Sequence, residues 1–256
     1  GGTGSGAAKV KGIPTDRHLI AYLGVMGPQD GVDQLIDCLD LIVHGHERRD
    51  VHAVLMGFGD SFDEIQEQTA RLGLMEHVTF TGAADPPLIA SVLSRAEVGV
   101  VPDPLTEFTD RSSMNKVMEY MAYALPVVGF DLKETRRTVG HTGVLVRPGD
   151  VDALADAILH LIDNVGLRVR LGVEARRRIT SDLDWADQAR AYVGVFDDLL
   201  GITRDLEPTW PAYDRRRAGM SSATGVTLPP GVIDLRNRTA LEDSLVARTA
   251  GHPVSR

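Results

Sequence analysis

The sequence has little of what several common classes of protein need. Its single cysteine, Cys38, excludes a disulfide within the chain and lies on an apolar helical stripe, which is typical of a core residue. The longest apolar runs fall far short of the roughly 20 residues that a membrane-spanning helix needs. The first residues also lack the charged and apolar regions of a secretory signal. These absences predict a cytoplasmic location and no membrane span.

Positive charge is also scarce. The 256 residues include 27 Lys and Arg against 36 Asp and Glu, which gives a formal net charge of −9 at pH 7. Because a general nucleic-acid surface needs an excess of cations to neutralise phosphates, we expect no nucleic-acid partner. The eight histidines show no paired spacing with cysteine or carboxylates, so no metal site is expected.

The chain divides into three parts by pattern. Residues 1–16 begin GGTGSGAAKVKG, which predicts a flexible leader, and no Gly-Lys-Ser/Thr follows to make these glycines a phosphate loop. Residues 17–200 are strongly periodic and predict one domain. Residues 201–256 are rich in Arg and Pro and predict an extended or partly disordered tail, in which Ala240–Arg248 could form a short helix.

Within residues 17–200, apolar runs of strand length alternate with stretches of helical period. That alternation predicts an α/β fold, a doubly wound, Rossmann-like parallel sheet whose ligands bind beyond the carboxyl ends of the strands. The predicted strands are His18–Leu23, Val51–Met56, His77–Phe80, Glu97–Val101, Pro126–Phe130 and Gly143–Val146. The predicted helices are Val32–Val43, Phe62–Leu72, Pro86–Arg95, Ser112–Ala124, Val151–Ile162, Leu167–Thr180 and Trp185–Leu200.

The passage DRSSMNKVMEYMAYALPVV, residues 110–128, has the most chemical content. A helix is predicted to open near Ser112 or Ser113, both good N-caps, directly after a strand and its loop. The unsatisfied N–H groups and positive dipole of a helix N-terminus suit a phosphate. Three further side chains there could donate hydrogen bonds to it: Arg111, Asn115 and Lys116.

Glu119 stands one turn further into this predicted helix. A carboxylate in that place could accept hydrogen bonds from both hydroxyls of a ribose while the positive helix end stabilises its charge. Ser112 and Ser113 are interpreted as backbone donors and caps, because no histidine lies close in the motif to activate them as nucleophiles.

These residues resemble the retaining glycosyltransferases of the GT-B fold, family 4, whose carboxyl-terminal domain binds the nucleotide sugar. That family has a Glu, seven residues, Glu element followed by Ala, a small residue and Pro-Val-Val. Glu119 in "MEYMAYALPVV" matches the second glutamate, whereas Arg111 occupies the place of the first, and Asp110 is the carboxylate beside it.

The resemblance extends from about His18 to Leu200. In the first glycine turn the family usually has an Arg and a Lys for the phosphates, where this chain has Val25 and Asp30. Arg111 and Lys116 are therefore the predicted phosphate partners and the groups that stabilise charge in the transition state.

Backbone near the base is expected at the strand ends of "YLGVMG", "MGFGD" and "VTFTGAA". The resemblance assigns donor contacts there to Gly24, Gly57, Gly82 and Ala83. Glu134 either contributes to the donor site or caps a short helix near Thr135.

The resemblance implies the donor half of a hexosyltransferase-like enzyme that transfers sugar from a nucleoside diphosphate without a cofactor or metal. Its partner would be an amino-terminal acceptor domain that the chain lacks, so the chain alone would be an incomplete fragment with poor activity, and the acceptor-side catalytic residues stay unknown. Peripheral membrane association of the intact enzyme stays open. Two alternatives are a non-catalytic nucleotide-binding or partner-docking module and, fitting the motif less well, a sugar-nucleotide epimerase.

Overall fold

The computed structural model describes residues 12–202, in which strands and helices alternate. The strands are β1 His18–Leu23, β2 Val51–Met56, β3 Val78–Gly82, β4 Val98–Val101, β5 Val127–Phe130 and β6 Gly143–Val146. The helices are α1 Val32–Asp40, α2 Phe62–Arg71, α3 Pro86–Leu93, α4 Glu107–Asp110, α5 Asn115–Ala122, α6 Lys133–Val139, α7 Val151–Asp163, α8 Val165–Ser181 and α9 Trp185–Leu200. A turn of π-helix, Leu41–Gly45, follows α1.

The six strands form one sheet in the order β3-β2-β1-β4-β5-β6, and every neighbouring pair is parallel. The strand order reverses between β1 and β4, which is the switch point where doubly wound sheets bind ligands. The predicted fold class is confirmed, and each predicted strand is present with its ends shifted by two residues at most.

Alternate residues of the strands face two separate cores. Ile20 and Tyr22 of β1 pack into the core that includes α1, α2 and α7, whereas Leu19 and Ala21 pack into the core with α3, α5 and α6. Strands β2, β4 and β5 are buried at every position, because helices cover both faces of the sheet.

The prediction that a helix opens at Ser112 or Ser113 is wrong. The sequence patterns did not predict the short helix α4. Its N-cap is Thr106, whose side chain forms a capping box with Thr109. The Ser112 hydroxyl donates back to the Phe108 carbonyl of α4 at 2.6 Å, and it caps no N–H of the next helix. Helix α5 begins at Asn115 instead. Its N-cap residue is Met114, whose side chain makes no capping hydrogen bond.

The chain divides into two compact units, Gly1–Ile179 and Thr180–Arg256. The first unit contains the sheet and both cores, and the described part of the second is chiefly α9. The predicted domain ends at residues 17 and 200 stay predictions. Residues 1–11 of the leader and 203–256 of the tail, including the candidate helix Ala240–Arg248, lie outside the described residues.

Candidate functional site at the carboxyl edge of the sheet

Three glycine loops meet at the carboxyl edge, the side of the sheet where the strands end. The Gly24 N–H donates to the Met56 carbonyl at 3.0 Å, and the Gly57 N–H donates to the Gly82 carbonyl at 2.9 Å. A Cβ on Gly57 would lie 1.8 Å from the Gly24 carbonyl oxygen, and its φ of +144° also favours glycine. The structure thus brings together three predicted donor-site glycines, and the predicted Ala83 follows them with an exposed side chain.

The loops after β1 and β4 are in direct contact at the switch point. A Cβ on Gly31 would lie 2.0 Å from the Pro102 carbonyl oxygen, and the φ of Gly31 is +66°. No other residue type could therefore occupy this position without moving one of the loops. The contact fixes the distance between the two loops that border the crevice.

Lys116 contacts residues of both loops and is only 7% exposed. Its ammonium donates to both carboxylate oxygens of Asp103 at 3.0 and 3.1 Å and lies 3.7 Å from Asp30. The same nitrogen lies 3.5 Å from the Tyr22 hydroxyl and 5.0 Å from the centre of its ring. We call these four residues the Lys116 cluster. Burial raises the pKa of the Asp103 carboxyl, while Lys116 acts in the opposite direction.

Tyr120, one helical turn after Lys116, connects strands β1 and β4. Its hydroxyl accepts the N–H of Leu23 at 2.8 Å and donates to the Val100 carbonyl at 3.4 Å. Its ring fits because position 99 is glycine, where a Cβ would lie 2.5 Å from the ring atoms. Burial raises the pKa of the Tyr120 phenol, so the hydroxyl keeps its proton.

The first turn of α5 offers backbone donors. The N–H groups of Asn115 and Lys116 make no hydrogen bond to another residue within 12–202, and no side chain caps the helix. The Asn115 and Ser113 side chains are exposed beside them. This end of the helix therefore has the unsatisfied N–H groups and positive dipole that bind an anion.

Arg111 is close in sequence to this helix end but extends into solvent. Its side chain is 71% exposed and contacts the still more exposed Glu107 at 3.2 Å. The neighbouring Asp110 accepts the N–H of Lys133 at 2.8 Å, at the start of α6. Asp110 therefore connects the loop after β4 to the loop after β5. The predicted phosphate contact of Arg111 stays a prediction.

Glu119 has an exposed side chain with no hydrogen bond or ion pair to any residue in the described part of the chain. Loss of water around the carboxyl nevertheless raises the pKa of Glu119. It lies near Tyr123, whose pKa is also raised, mainly by burial and further by Glu119. An unpaired carboxylate one turn inside α5 is available to a ligand. Its ribose contact stays a prediction.

The sequence leaves Glu134 two possible roles and predicts that Cys38 is a core residue. Glu134 lies in the first turn of α6, its side chain is 18% exposed, and it contacts Arg137 at 3.7 Å. Helix α6 begins after Leu132 without a side-chain cap, so the alternative that Glu134 caps this helix is wrong, and its donor contact stays a prediction. Cys38 is buried in the core, and burial raises the pKa of its thiol.

Sequence reasoning missed the partners of Lys116. Asp103 and Tyr22 were not predicted, and Asp30 was noted only as the replacement of a cation. The available signal was an aspartate in the loop directly after a buried strand, because that position lies at the carboxyl edge.

Across residues 12–202, no group of three His, Cys, Asp or Glu residues could hold a metal ion. Within the same range, no helix is long and apolar enough to cross a membrane.

A sequence model of the family described as Glycosyl transferases group 1 matches residues 17–164, more than half of the chain. The chain belongs to this family. A phosphatidyl-myo-inositol mannosyltransferase from Mycobacterium leprae is 32% identical over 201 residues, which are 76% of this chain and 50% of that protein. The chain spans about half the length of the curated relatives that it matches.

Solved structures share the fold of this group 1 chain. HepE from Anabaena, in complex with UDP-glucose, has a TM-score of 0.60 at 21% identity, over 72% of this chain and 49% of that one. The C-terminal domain of a group 1 glycosyl transferase from Francisella tularensis has a TM-score of 0.56 at 19% identity, over 65% of this chain and 86% of that one. At these identities the likeness concerns the fold, which is that of GT-B glycosyltransferases.

Proposed function

We propose that this chain is the donor-binding, carboxyl-terminal half of a retaining glycosyltransferase that takes sugar from a nucleoside diphosphate. One observation supports the proposal: the first turn of α5 has no side-chain cap, and Glu119, one turn further along the same helix, has no partner among residues 12–202. The N–H groups suit a diphosphate and the carboxylate suits two ribose hydroxyls. These are the two polar parts that all nucleoside diphosphates share.

The same helix end would assist the chemistry. When the glycosidic bond breaks, negative charge builds on the leaving diphosphate, and fixed N–H groups stabilise that charge at little cost in reorganisation. Arg111 would add a cation by turning from Glu107 toward the diphosphate. The acceptor would come from an amino-terminal domain, which the half-length match to curated relatives supports.

Titration calorimetry with UDP, GDP, ADP and their sugars tests donor binding directly. We expect one base to give measurable heat, and silence from every nucleotide would refute the donor site. Replacing Glu119 by Ala should weaken the binding of that nucleoside diphosphate at least tenfold, or about 1.4 kcal/mol. The matched control is Glu67→Ala, which removes an exposed glutamate from α2 and should leave affinity unchanged.

A 2′,3′-dideoxy nucleotide tests the ribose contact itself. If Glu119 accepts the two hydroxyls, the dideoxy diphosphate should bind the unaltered chain weakly, and Glu119→Ala should weaken it no further. An equal loss with both nucleotides would show that Glu119 acts in some other way.

A partner-docking module is the second candidate function. It is favoured by Val25 and Asp30, which stand where the resembling family usually has phosphate-binding cations, and by the proximity of Asp30 to Lys116. Joining an acceptor domain and assaying transfer and donor hydrolysis separates the two functions. Turnover that Glu119→Ala reduces would support the enzyme half, whereas nucleotide binding without turnover would favour the module. Cytoplasmic location and peripheral membrane association stay predictions.

A further inference from the structure

The Lys116 ammonium is committed to protein partners. It is nearly enclosed, and it faces the carboxylates of Asp103 and Asp30, whose side chains are 1% and 14% exposed. Moving a lysine out of water costs several kcal/mol unless a hydrogen-bonded counter-charge compensates, and Asp103 supplies that counter-charge. A phosphate that approached this nitrogen would have to displace Asp103 and would meet two negative charges.

The contacts of Lys116 connect three parts of the carboxyl edge. Lys116 itself belongs to the first turn of α5, and Asp103 lies in the loop after β4. Asp30 lies in the loop after β1, and Tyr22 lies in β1 itself. The Tyr22 hydroxyl donates to the Val25 carbonyl at 2.6 Å. The cluster therefore joins both loops of the switch point to the helix end that offers free N–H groups.

We propose that Lys116 is a positioning residue, which holds the α5 N-terminus against the loops after β1 and β4 through Asp103. On this view the diphosphate contacts the backbone amides of α5 and not the Lys116 ammonium. The second part of the inference rests on the proposed donor binding, whereas the first part concerns the folded chain alone.

Unfolding measurements test the first part without any ligand. Urea unfolding of the full chain would compare Lys116→Met, Asp103→Asn and the double variant. Each single change should lower stability, because it leaves one buried charge without its partner. The double variant should lose much less than the two losses combined. Additive losses would overturn the proposal.

Amide hydrogen exchange separates positioning from general stability. Asp103→Asn should speed exchange at least tenfold in the segment of α5 that follows its unbonded amides and begins at Val117, whose N–H donates to the Met114 carbonyl at 3.1 Å. The control, Glu97→Gln, removes a carboxylate that contacts His18 at 2.7 Å and Arg168 at 3.2 Å beside the start of β4. It should leave exchange in that segment unchanged. Equal acceleration in both variants would show a purely structural role.

Nucleotide affinity tests the second part through the sign of one effect. If Lys116 positions the helix, Asp103→Asn should weaken the binding of UDP, GDP or ADP about fivefold or more, although it removes a negative charge. If Lys116 contacts phosphate, the same change frees the ammonium and should strengthen binding, which would overturn the inference. If the unaltered chain binds none of the three, the donor function fails, while unfolding and exchange still decide whether Lys116 positions α5.

Discussion

The two edges of the sheet use charged side chains in different ways. At the amino edge, where the strands begin, polar side chains pair with one another near the surface: Arg48 contacts Asp163 at 2.9 Å, and the His18 imidazole contacts Glu97 at 2.7 Å. At the carboxyl edge, Lys116 and Asp103 form a buried pair, while Glu119 has no partner among residues 12–202. Ion pairs at the surface contribute little to stability, whereas a buried pair is costly to break.

The difference between the edges shows which hydrogen-bonding groups could bind a ligand. At the amino edge, these side chains already contact one another. The carboxyl edge has glycine loops in close contact and uncapped amides at α5, and the Glu119 carboxylate of that helix has no partner among residues 12–202.

Replacing Gly57 by Ala should have the largest effect. The new Cβ would meet the Gly24 carbonyl oxygen at 1.8 Å and would also have to adopt a φ of +144°. We expect a loss of about 3 to 5 kcal/mol in unfolding free energy, measured by urea denaturation. The control lies before β3 on the amino side: Gly73→Ala, with a φ of +70° and open space around the Cβ, should cost about 1 to 2 kcal/mol. Equal losses would contradict this account of the glycine loops.

The buried His52 near the amino edge should make stability depend on pH. Its Nε2 lies 2.8 Å from the Thr79 hydroxyl, and burial lowers the pKa of His52 to about 4. Because the unfolded chain binds a proton at its ordinary pKa of 6.5, stability should rise as pH increases from about 4 to 6.5, by about 3 kcal/mol. Urea midpoints at several pH values should show that His52→Gln flattens this rise.

A control histidine separates His52 from the other groups that titrate in the same range. His44 is about half exposed, with a side-chain exposure of 48%. His44→Gln should leave the rise in stability in place, and if it flattens the rise as much as His52→Gln, the assignment to His52 is wrong.

Replacing Tyr120 by Phe should have a smaller effect at the carboxyl edge. The change leaves the Leu23 N–H without the acceptor that lies at 2.8 Å, and an unsatisfied N–H costs about 1 to 3 kcal/mol. Thermal or urea unfolding measures the loss. Tyr192→Phe, on an exposed part of α9, is the matched control and should change stability by less than about 0.5 kcal/mol. A loss no larger than that of the control would show that the Tyr120 hydroxyl joins the strands only weakly.

The sequence predicted the sheet because its signal is local. Continuous apolar runs such as Val51–Met56 indicate strands buried on both faces, and the structure buries all six of these residues. The motif likewise predicted that Glu119 lies on the helix before the strand of Pro-Val-Val, and the structure has it in α5, before β5.

The parts that were not predicted depend on more than the period of one helix or strand. Ser112 has the chemistry of an N-cap, but a separate short helix, α4, forms just before it and accepts its hydroxyl at Phe108, and α5 begins three residues later. Lys116 has the chemistry of a phosphate ligand, yet Asp103 lies 13 positions earlier and reaches it only after a loop turns back. Local patterns specify what a side chain can do, and the tertiary fold decides which partner it meets.

Breaking the pair between Arg48 and Asp163 should have the smallest effect. Asp163 is 60% exposed, and Arg48 keeps a second contact with Asp50 at 2.9 Å. Asp163→Asn should therefore cost less than about 1 kcal/mol in urea unfolding, with no change in nucleotide affinity. A double-mutant cycle with Arg48→Gln should give a coupling well below that between Lys116 and Asp103, because solvent screens the exposed pair. A coupling as large as that of the buried pair would mean that the two edges do not differ in the way their charges are held.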